Sequence, residues 1–288
     1  MANLLRAAAL LVASAVLPSC APVDALNATI STTGLRITHD IAYRPGARGG
    51  LDVYRPDSDA TGLPLVVFIY GGSWQSGSKN EYPFVAAPLA RQGLVVAVPN
   101  YRLYPEVQYP TFIEDCAAAV AFARGHAAEW GADPGRVFVI GHSAGGYNAL
   151  MLATDPRYLT DVGMRPGELA GVVSIAGPAD FLPIREDDIK LVFGAARTSP
   201  DTQPITHVNG SEPPILLLHG ESDTTVGPGN STRLAARLEQ VSMPVKLRMY
   251  PGVGHVGVIT SFAPLFKGTA PVLADVMAFI RAQPAPGL

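Results

Sequence analysis

Residues 136–153 read RVFVIGHSAGGYNALMLA, and this stretch decides the fold prediction. Its first five residues, Arg136–Ile140, contain a four-residue apolar run typical of a buried parallel strand, and its last ten have helical composition. Between them, residues 141–145 read GHSAG, a G-x-S-x-G pattern at the turn from strand to helix. That context places Ser143 on a sharp turn at the carboxyl edge of a sheet, above the positive end of a helix dipole. Ser143 is therefore the candidate nucleophile.

Strands and helices alternate along most of the chain, which indicates an α/β fold with a mostly parallel central sheet flanked by helices. We expect one domain over residues 34–288. It should begin with an antiparallel pair, Leu35–Tyr43 and Leu51–Tyr54. Further strands are predicted at Leu65–Tyr70, Leu94–Val98, Val172–Ile175, Ile215–Leu218 and Val245–Tyr250, with helices at Pro83–Arg91, Thr111–Trp130, Asn230–Gln240 and Ala263–Arg281, the last broken near Pro271. The long connection 177–214 predicts a small cap insertion.

The first residues are predicted not to belong to the fold. Residues 1–19 have one positive charge followed by a short apolar run, which is typical of a signal peptide. Leu17-Pro18-Ser19-Cys20 then resembles a bacterial lipobox, so Cys20 is the candidate lipidation site and residues 20–33 a tether. The alternative is ordinary cleavage after Ala21. We expect an exported bacterial protein, periplasmic or anchored to the outer membrane.

Composition excludes several classes of function. The chain has 288 residues, of which 48% are hydrophobic and 16% charged, so most of it can bury a large core. Its net charge is −3 and no basic run is present, so no nucleic-acid partner is expected. The two cysteines form no CxxC or Cys/His cluster. We therefore predict no metal and no cofactor.

A serine nucleophile needs a base, and the base needs an orienting acid. His255 follows a predicted strand in a glycine-rich loop and comes last in the chain order Ser, acid, His that suits this fold. Asp223 follows the strand before it, one crossover unit earlier, and is the predicted acid. Asp180, one strand earlier, is the alternative; Glu221 lies nearer the strand end and is less able to reach outward.

Two further motifs carry a resemblance to a known family. Residues 70–74 read YGGSW and residues 101–106 read YRLYPE. With GHSAG they resemble the α/β-hydrolase esterases of the hormone-sensitive-lipase and kynurenine-formamidase-like group, also called BD-FAE-like. The resemblance covers about residues 50–282. Tyr70 and Ser73 replace the family's His and third Gly, and Asn100 replaces its Asp.

The resemblance implies an oxyanion hole and a substrate pocket. The backbone N–H groups of Gly72, Ser73 and Ala144 would hold the oxyanion, because preorganised donors stabilise the charge that develops there. Trp74 and Tyr147 are expected to contact the substrate. Core packing is an equal alternative for Trp74.

The expected activity is that of a serine carboxylesterase acting on small to medium acyl esters, because the cap is short. A formamidase or amidase, or an acetyl or feruloyl esterase of polysaccharides, is the alternative on the same triad. A lipid-anchored binding protein on a hydrolase scaffold is a third possibility, but all three triad positions are filled. The expected partner is a small-molecule ester, with the membrane reached only through Cys20.

Overall fold

The computed structural model describes residues 21–284, and their centre is an eight-stranded sheet. The strands are β1 (Leu35–Ala42), β2 (Gly50–Pro56), β3 (Leu63–Ile69), β4 (Val95–Pro99), β5 (Ala132–His142), β6 (Gly171–Ile175), β7 (Ile215–Gly220) and β8 (Val245–Tyr250). Their spatial order is β1-β2-β4-β3-β5-β6-β7-β8. β2 runs antiparallel to β1 and β4, and β3 to β8 are parallel to one another. The predicted antiparallel start and parallel core are confirmed.

Helices pack on this sheet. They are α1 (Ala21–Asn27), α2 (Pro83–Ala90), α3 (Thr111–Gly125), α4 (Ala144–Thr154), α5 (Pro156–Thr160), α6 (Asp187–Phe193), α7 (Pro204–His207), α8 (Gly229–Gln240), α9 (His255–Thr260) and α10 (Val272–Ala282). The middle strands are buried throughout, whereas the edge strand β8 alternates between partly buried and exposed residues. This is the α/β-hydrolase fold expected from the sequence, with the carboxyl ends of the parallel strands at one edge.

The predicted tether at 20–33 is corrected in its described part. Ala21–Asn27 is a helix, and Leu26 and Ile30 pack against the core. The Asn27 side chain donates to the Glu81 carbonyl (3.1 Å) and accepts from the Phe84 N–H (3.2 Å), so it caps the start of α2. The apolar contacts of Leu26 and Ile30 and the hydrogen bonds of Asn27 hold this segment on the domain. The predicted signal peptide 1–19 and Cys20 lie outside the described residues.

The last predicted helix is shorter than expected. Only Val272–Ala282 is α-helical, and Pro264–Phe266 is a single 3-10 turn. Proline at 264 and 271 lacks the N–H that a continuous helix needs, and Gly268 favours a turn. In residues 21–284, no helix is both long enough and apolar enough to cross a bilayer.

The segment 177–214 is inserted between β6 and β7 and carries α6 and α7. Several hydrogen bonds join it to the rest of the domain. The Tyr109 N–H donates to the Val192 carbonyl (3.0 Å), and the Gln75 side chain donates to Asp188 (3.0 Å). We call this segment the cap, and it lies over the edge where the parallel strands end.

Candidate active site

Ser143 occupies a strained turn between β5 and α4. Its φ is 54° and its ψ −122°, a conformation that non-glycine residues rarely adopt. Close packing holds it there: a Cβ on Gly145 would lie 2.1 Å from the Ile69 carbonyl oxygen, and one on Gly141 2.0 Å from the Gly145 oxygen. Only glycine fits at both positions, so the sequence pattern is a packing requirement of the turn.

His255 joins Ser143 to Asp223 by two hydrogen bonds. Its Nε2 lies 2.9 Å from Ser143 Oγ, and its Nδ1 lies 2.7 Å from Asp223 Oδ2. Because the carboxylate only accepts, Nδ1 carries the hydrogen and Nε2 is free to accept the serine proton. The structure thus brings together the three residues that the sequence singled out, from three separate loops.

The side chain of Asp223 is fully buried but well supplied with donors. Its Oδ1 accepts the N–H groups of Thr225 and Val226, both at 2.9 Å. Asp180, the alternative acid, instead pairs with Arg233, and Glu221 is exposed. Of the three carboxylates considered, only Asp223 contacts His255 within the described chain.

The neighbouring His142 is buried against the base. Its ring centroid lies 4.8 Å from that of His255, and its Nε2 lies 3.3 Å from the His255 carbonyl oxygen. Burial, together with repulsion from His255, lowers the pKa of His142 to about 3. His142 is therefore neutral at working pH and donates Nε2–H to that carbonyl.

The loop after β3 offers backbone donors beside Ser143. Gly72, Ser73 and Trp74 all have positive φ (117°, 55° and 58°), which turns successive N–H groups out of the strand direction. Within residues 21–284 the N–H groups of Gly72, Ser73 and Ala144 have no hydrogen-bond acceptor. Ser73 and Ala144 line the same cavity as Ser143, and Gly72 lies one residue further back.

Tyr70 and Asn100 brace both ends of that loop. The Tyr70 hydroxyl donates to Asn100 Oδ1 (3.1 Å), which also accepts the Lys79 N–H (2.8 Å). Arg48 donates to the Tyr70 hydroxyl (2.7 Å) and to the Gly77 carbonyl (2.6 Å). The tyrosine and asparagine that depart from the family pattern therefore form one partly buried network with Arg48. The sequence did not single out Arg48, because its partners lie in the loops after β3 and β4, more than twenty residues further along the chain.

A cavity of about 430 Å³ opens onto Ser143. The cap supplies an apolar wall, and the loop after β7 supplies the opposite wall. The cap residues are Pro178, Phe181, Leu182, Pro183 and Ile189, with Arg185, Glu186 and Asp188 also lining the cavity, and the facing residues are Thr225, Val226, Gly227 and Asn230. The volume is at the small end of the range for small-molecule sites.

Trp74 lines this cavity as expected, but Tyr147 does not. The Trp74 Nε1–H donates to Asn148 Oδ1 (3.0 Å), and its ring packs against Phe193 of the cap. Tyr147 is fully buried, and its hydroxyl donates a hydrogen bond to the Thr202 carbonyl (2.8 Å). Its predicted role in substrate binding is corrected: it lies on the first turn of α4, where it anchors the cap.

No metal centre accompanies the site in residues 21–284. In that part of the chain, no three His, Cys, Asp or Glu side chains are grouped so that they could hold an ion. Cys116 is buried, and burial raises the pKa of its thiol well above the usual value. It is a packing residue.

Comparison with known proteins gives consistent results. The family model described as BD-FAE matches residues 51–238. The probable carboxylic ester hydrolase LipM of Mycobacterium tuberculosis is 32% identical over 75% of this chain and 55% of its own length. Esterase LipC of the same organism is 30% identical over 71% and 56%. The chain thus spans little more than half the length of these curated relatives.

Solved structures share the architecture. A bacterial heroin esterase superposes with a TM-score of 0.74 and 25% identity, over 91% of this chain and 90% of the other. Esterase B of Lactobacillus rhamnosis (HN001) gives 0.75 at 22% identity, over 91% of both chains, and shows the fold alone. With the family model matching well over half of its residues, the chain belongs to the BD-FAE family of α/β-hydrolase esterases.

Proposed function

We propose that this protein is a serine carboxylesterase that hydrolyses small to medium acyl esters through an acyl-enzyme. The observation that carries the proposal is the pair of hydrogen bonds, 2.9 Å and 2.7 Å, from Ser143 through His255 to Asp223, facing an open cavity. The relatives named carboxylic ester hydrolase and esterase support the same reaction class.

In the proposed mechanism, Ser143 Oγ attacks the ester carbonyl while His255 Nε2 takes its proton. Negative charge develops on the carbonyl oxygen, where the unpaired N–H groups of Ser73, Ala144 and Gly72 stabilise it. His255 then gives the proton to the departing alcohol. Water then attacks the acyl carbon while His255 takes its proton; the bond to Ser143 Oγ breaks, Ser143 regains the proton from His255, and the carboxylic acid leaves. Asp223 holds the imidazole in the working tautomer throughout.

The test is hydrolysis of p-nitrophenyl acetate, butyrate and octanoate by residues 21–288, beside Ser143→Ala. We expect turnover that Ser143→Ala abolishes, fastest for the acetate or butyrate because the cavity is small. Faster turnover of the octanoate would contradict the acyl-size proposal. If no ester is hydrolysed but anilides or formamides are, the amidase alternative replaces the esterase proposal.

We propose that the protein is exported from a bacterial cell and anchored by a lipid on Cys20. The lipobox-like sequence at residues 17–20 supports this proposal. Expression of the full chain in a bacterial host with an alkyne fatty acid tests it. The anchor would be supported if the protein carries the label and is found in the membrane fraction, and if Cys20→Ser abolishes both. An unlabelled protein cleaved after Ala21 would refute it.

A further inference from the structure

A second buried histidine contacts the carboxylate of Asp223. His219 lies on β7 with its side chain fully buried, and its Nε2 is 3.2 Å from Asp223 Oδ2, the oxygen that His255 also contacts. The same Nε2 is 2.8 Å from the Val226 carbonyl oxygen. On the other side of the ring, Nδ1 is 2.7 Å from Ser231 Oγ on α8.

These contacts fix the protonation of His219. Its Nε2 faces a carbonyl and a carboxylate, both acceptors, so Nε2 must carry a hydrogen. Burial lowers the pKa of His219, so the ring is neutral and Nδ1 is an acceptor. The Ser231 hydroxyl, whose single hydrogen-bond partner in the described chain is His219, then donates to Nδ1. Each polar atom of this buried chain has a partner of the right kind.

His219 also holds the loop that carries the acid. Its Nε2–H donates to the Val226 carbonyl, the same nitrogen lies 3.2 Å from Asp223 Oδ2, and the Val226 N–H donates to Asp223 Oδ1. One imidazole therefore contacts both the carboxylate and the turn that supports it. A rotation of the carboxylate away from His255 would break the His219 contact together with two backbone hydrogen bonds.

We infer that His219 is a positioning residue that acts through Asp223, with Ser231 holding its ring in place. The inference rests on the proposed function, because it assigns His219 to the relay that activates Ser143. It predicts an order of contacts Ser231, His219, Asp223, His255, Ser143, in which His219 and Asp223 keep their protonation while the proton moves between Ser143 and His255. The part that His219 supplies is an N–H that holds the Val226 turn beside the carboxylate, and a side chain that merely fills the same volume would not replace it.

The test compares His219→Leu, which removes the donor, with His219→Gln, which retains an amide donor on a side chain of similar reach. Loss of this N–H, which holds the turn and lies beside a charged carboxylate, predicts a fall in kcat of about 10- to 100-fold for His219→Leu, with KM within about twofold. We expect His219→Gln to recover most of this loss. Ser231→Ala should lower kcat by about three- to tenfold, because the buried Nδ1 acceptor loses its donor and the ring is held less firmly.

The rate at which a fluorophosphonate labels Ser143 is measured in parallel, since this reaction needs an activated serine but no ester substrate. Thr154→Ala is the matched control. It removes a buried hydroxyl bonded to the Leu150 carbonyl at the far end of α4, and should leave both rates unchanged. Thermal unfolding of every variant identifies any that has lost its fold.

The outcomes separate this inference from the proposed function. If the wild type is labelled and active, and His219→Leu is labelled and turns over ester at the same rates, the inference about His219 is overturned and the proposed function stands. Equal losses in His219→Leu and His219→Gln would also overturn it, because a structural role would then account for both. If His219→Leu does not fold, wild-type rates in a folded Ser231→Ala overturn it. A wild type that is neither labelled nor active overturns both proposals.

Discussion

Replacing Asp223 by asparagine tests the relay most sharply, because the surrounding hydrogen bonds dictate how the amide must lie. Asp223 Oδ1 accepts two backbone N–H groups, at 2.9 Å each, and Oδ2 faces His255 Nδ1 at 2.7 Å. An asparagine keeps only one acceptor oxygen. If that oxygen stays with the two backbone donors, the NH₂ group points at His255 Nδ1.

The opposite orientation of the amide is more costly. It would direct NH₂ at the Thr225 and Val226 N–H groups and leave two buried donors without an acceptor, at about 1–3 kcal/mol each. The first orientation sets NH₂ only against His219 Nε2–H, which keeps the Val226 carbonyl as its acceptor. The amide therefore donates to His255 Nδ1, which forces the hydrogen of the neutral ring onto Nε2. Nε2 then faces Ser143 as a donor and cannot take the serine proton. A carboxylate-to-amide change that traps the wrong tautomer lowers kcat by about 10⁴-fold, or roughly 5 kcal/mol.

The assay is kcat for p-nitrophenyl butyrate, with Asp180→Asn as the matched control. Asp180 carries the same charge and pairs with Arg233 away from His255, so its variant should keep wild-type kcat. Thermal unfolding should show both variants folded. A kcat for Asp223→Asn within tenfold of the wild type, or a larger loss in Asp180→Asn, would refute the reasoning.

Three further predictions follow from the same structure. Because the pKa of His142 falls from an ordinary 6.5 to about 3, the unfolded chain binds a proton that the folded one does not. The free energy of unfolding should therefore decrease as pH falls from 6.5 towards 3, by up to roughly 5 kcal/mol, and urea titrations of His142→Gln should show a smaller decrease. Gly145→Ala should lose about 3 kcal/mol of stability or fail to fold, because the added Cβ would lie 2.1 Å from a carbonyl oxygen. Its control is Gly167→Ala, where the added Cβ meets open space, and this variant should unfold at a urea concentration similar to that of the wild type. EDTA should leave esterase activity unchanged, and loss of activity that zinc or magnesium restores would contradict a metal-independent relay.

The elements nearest the nucleophile could be predicted because their signals are local. A buried strand, a tight turn that admits only glycine at 141 and 145, and a following helix lie in one continuous stretch of sequence. The chain order of nucleophile, acid and base then directed attention to Asp223 and His255. The structure places both in hydrogen-bond contact with the site.

What the sequence missed depends on contacts between distant segments. Tyr147 follows the nucleophile closely and was expected in the pocket. The cap covers it instead, and the Thr202 carbonyl accepts a hydrogen bond from its hydroxyl. Asn27 caps a helix that begins more than fifty residues later. Because this contact has no local signal, the segment before β1 was predicted to be a tether. Arg48 acquires its partners only when the loops after β3 and β4 meet beside it, and His219 acquires its partners when the loop after β7 and helix α8 pack against its strand. None of these has a local pattern that distinguishes it from a surface or structural residue.

The most direct test of the central claim is to locate the fluorophosphonate adduct by peptide mass spectrometry. The relay predicts one equivalent of label per chain, on the peptide that contains Ser143, with labelling abolished in Ser143→Ala and strongly slowed in His255→Ala. An adduct on another residue, or labelling that is as fast in His255→Ala as in the wild type, would contradict the assignment of Ser143 as a nucleophile activated by His255.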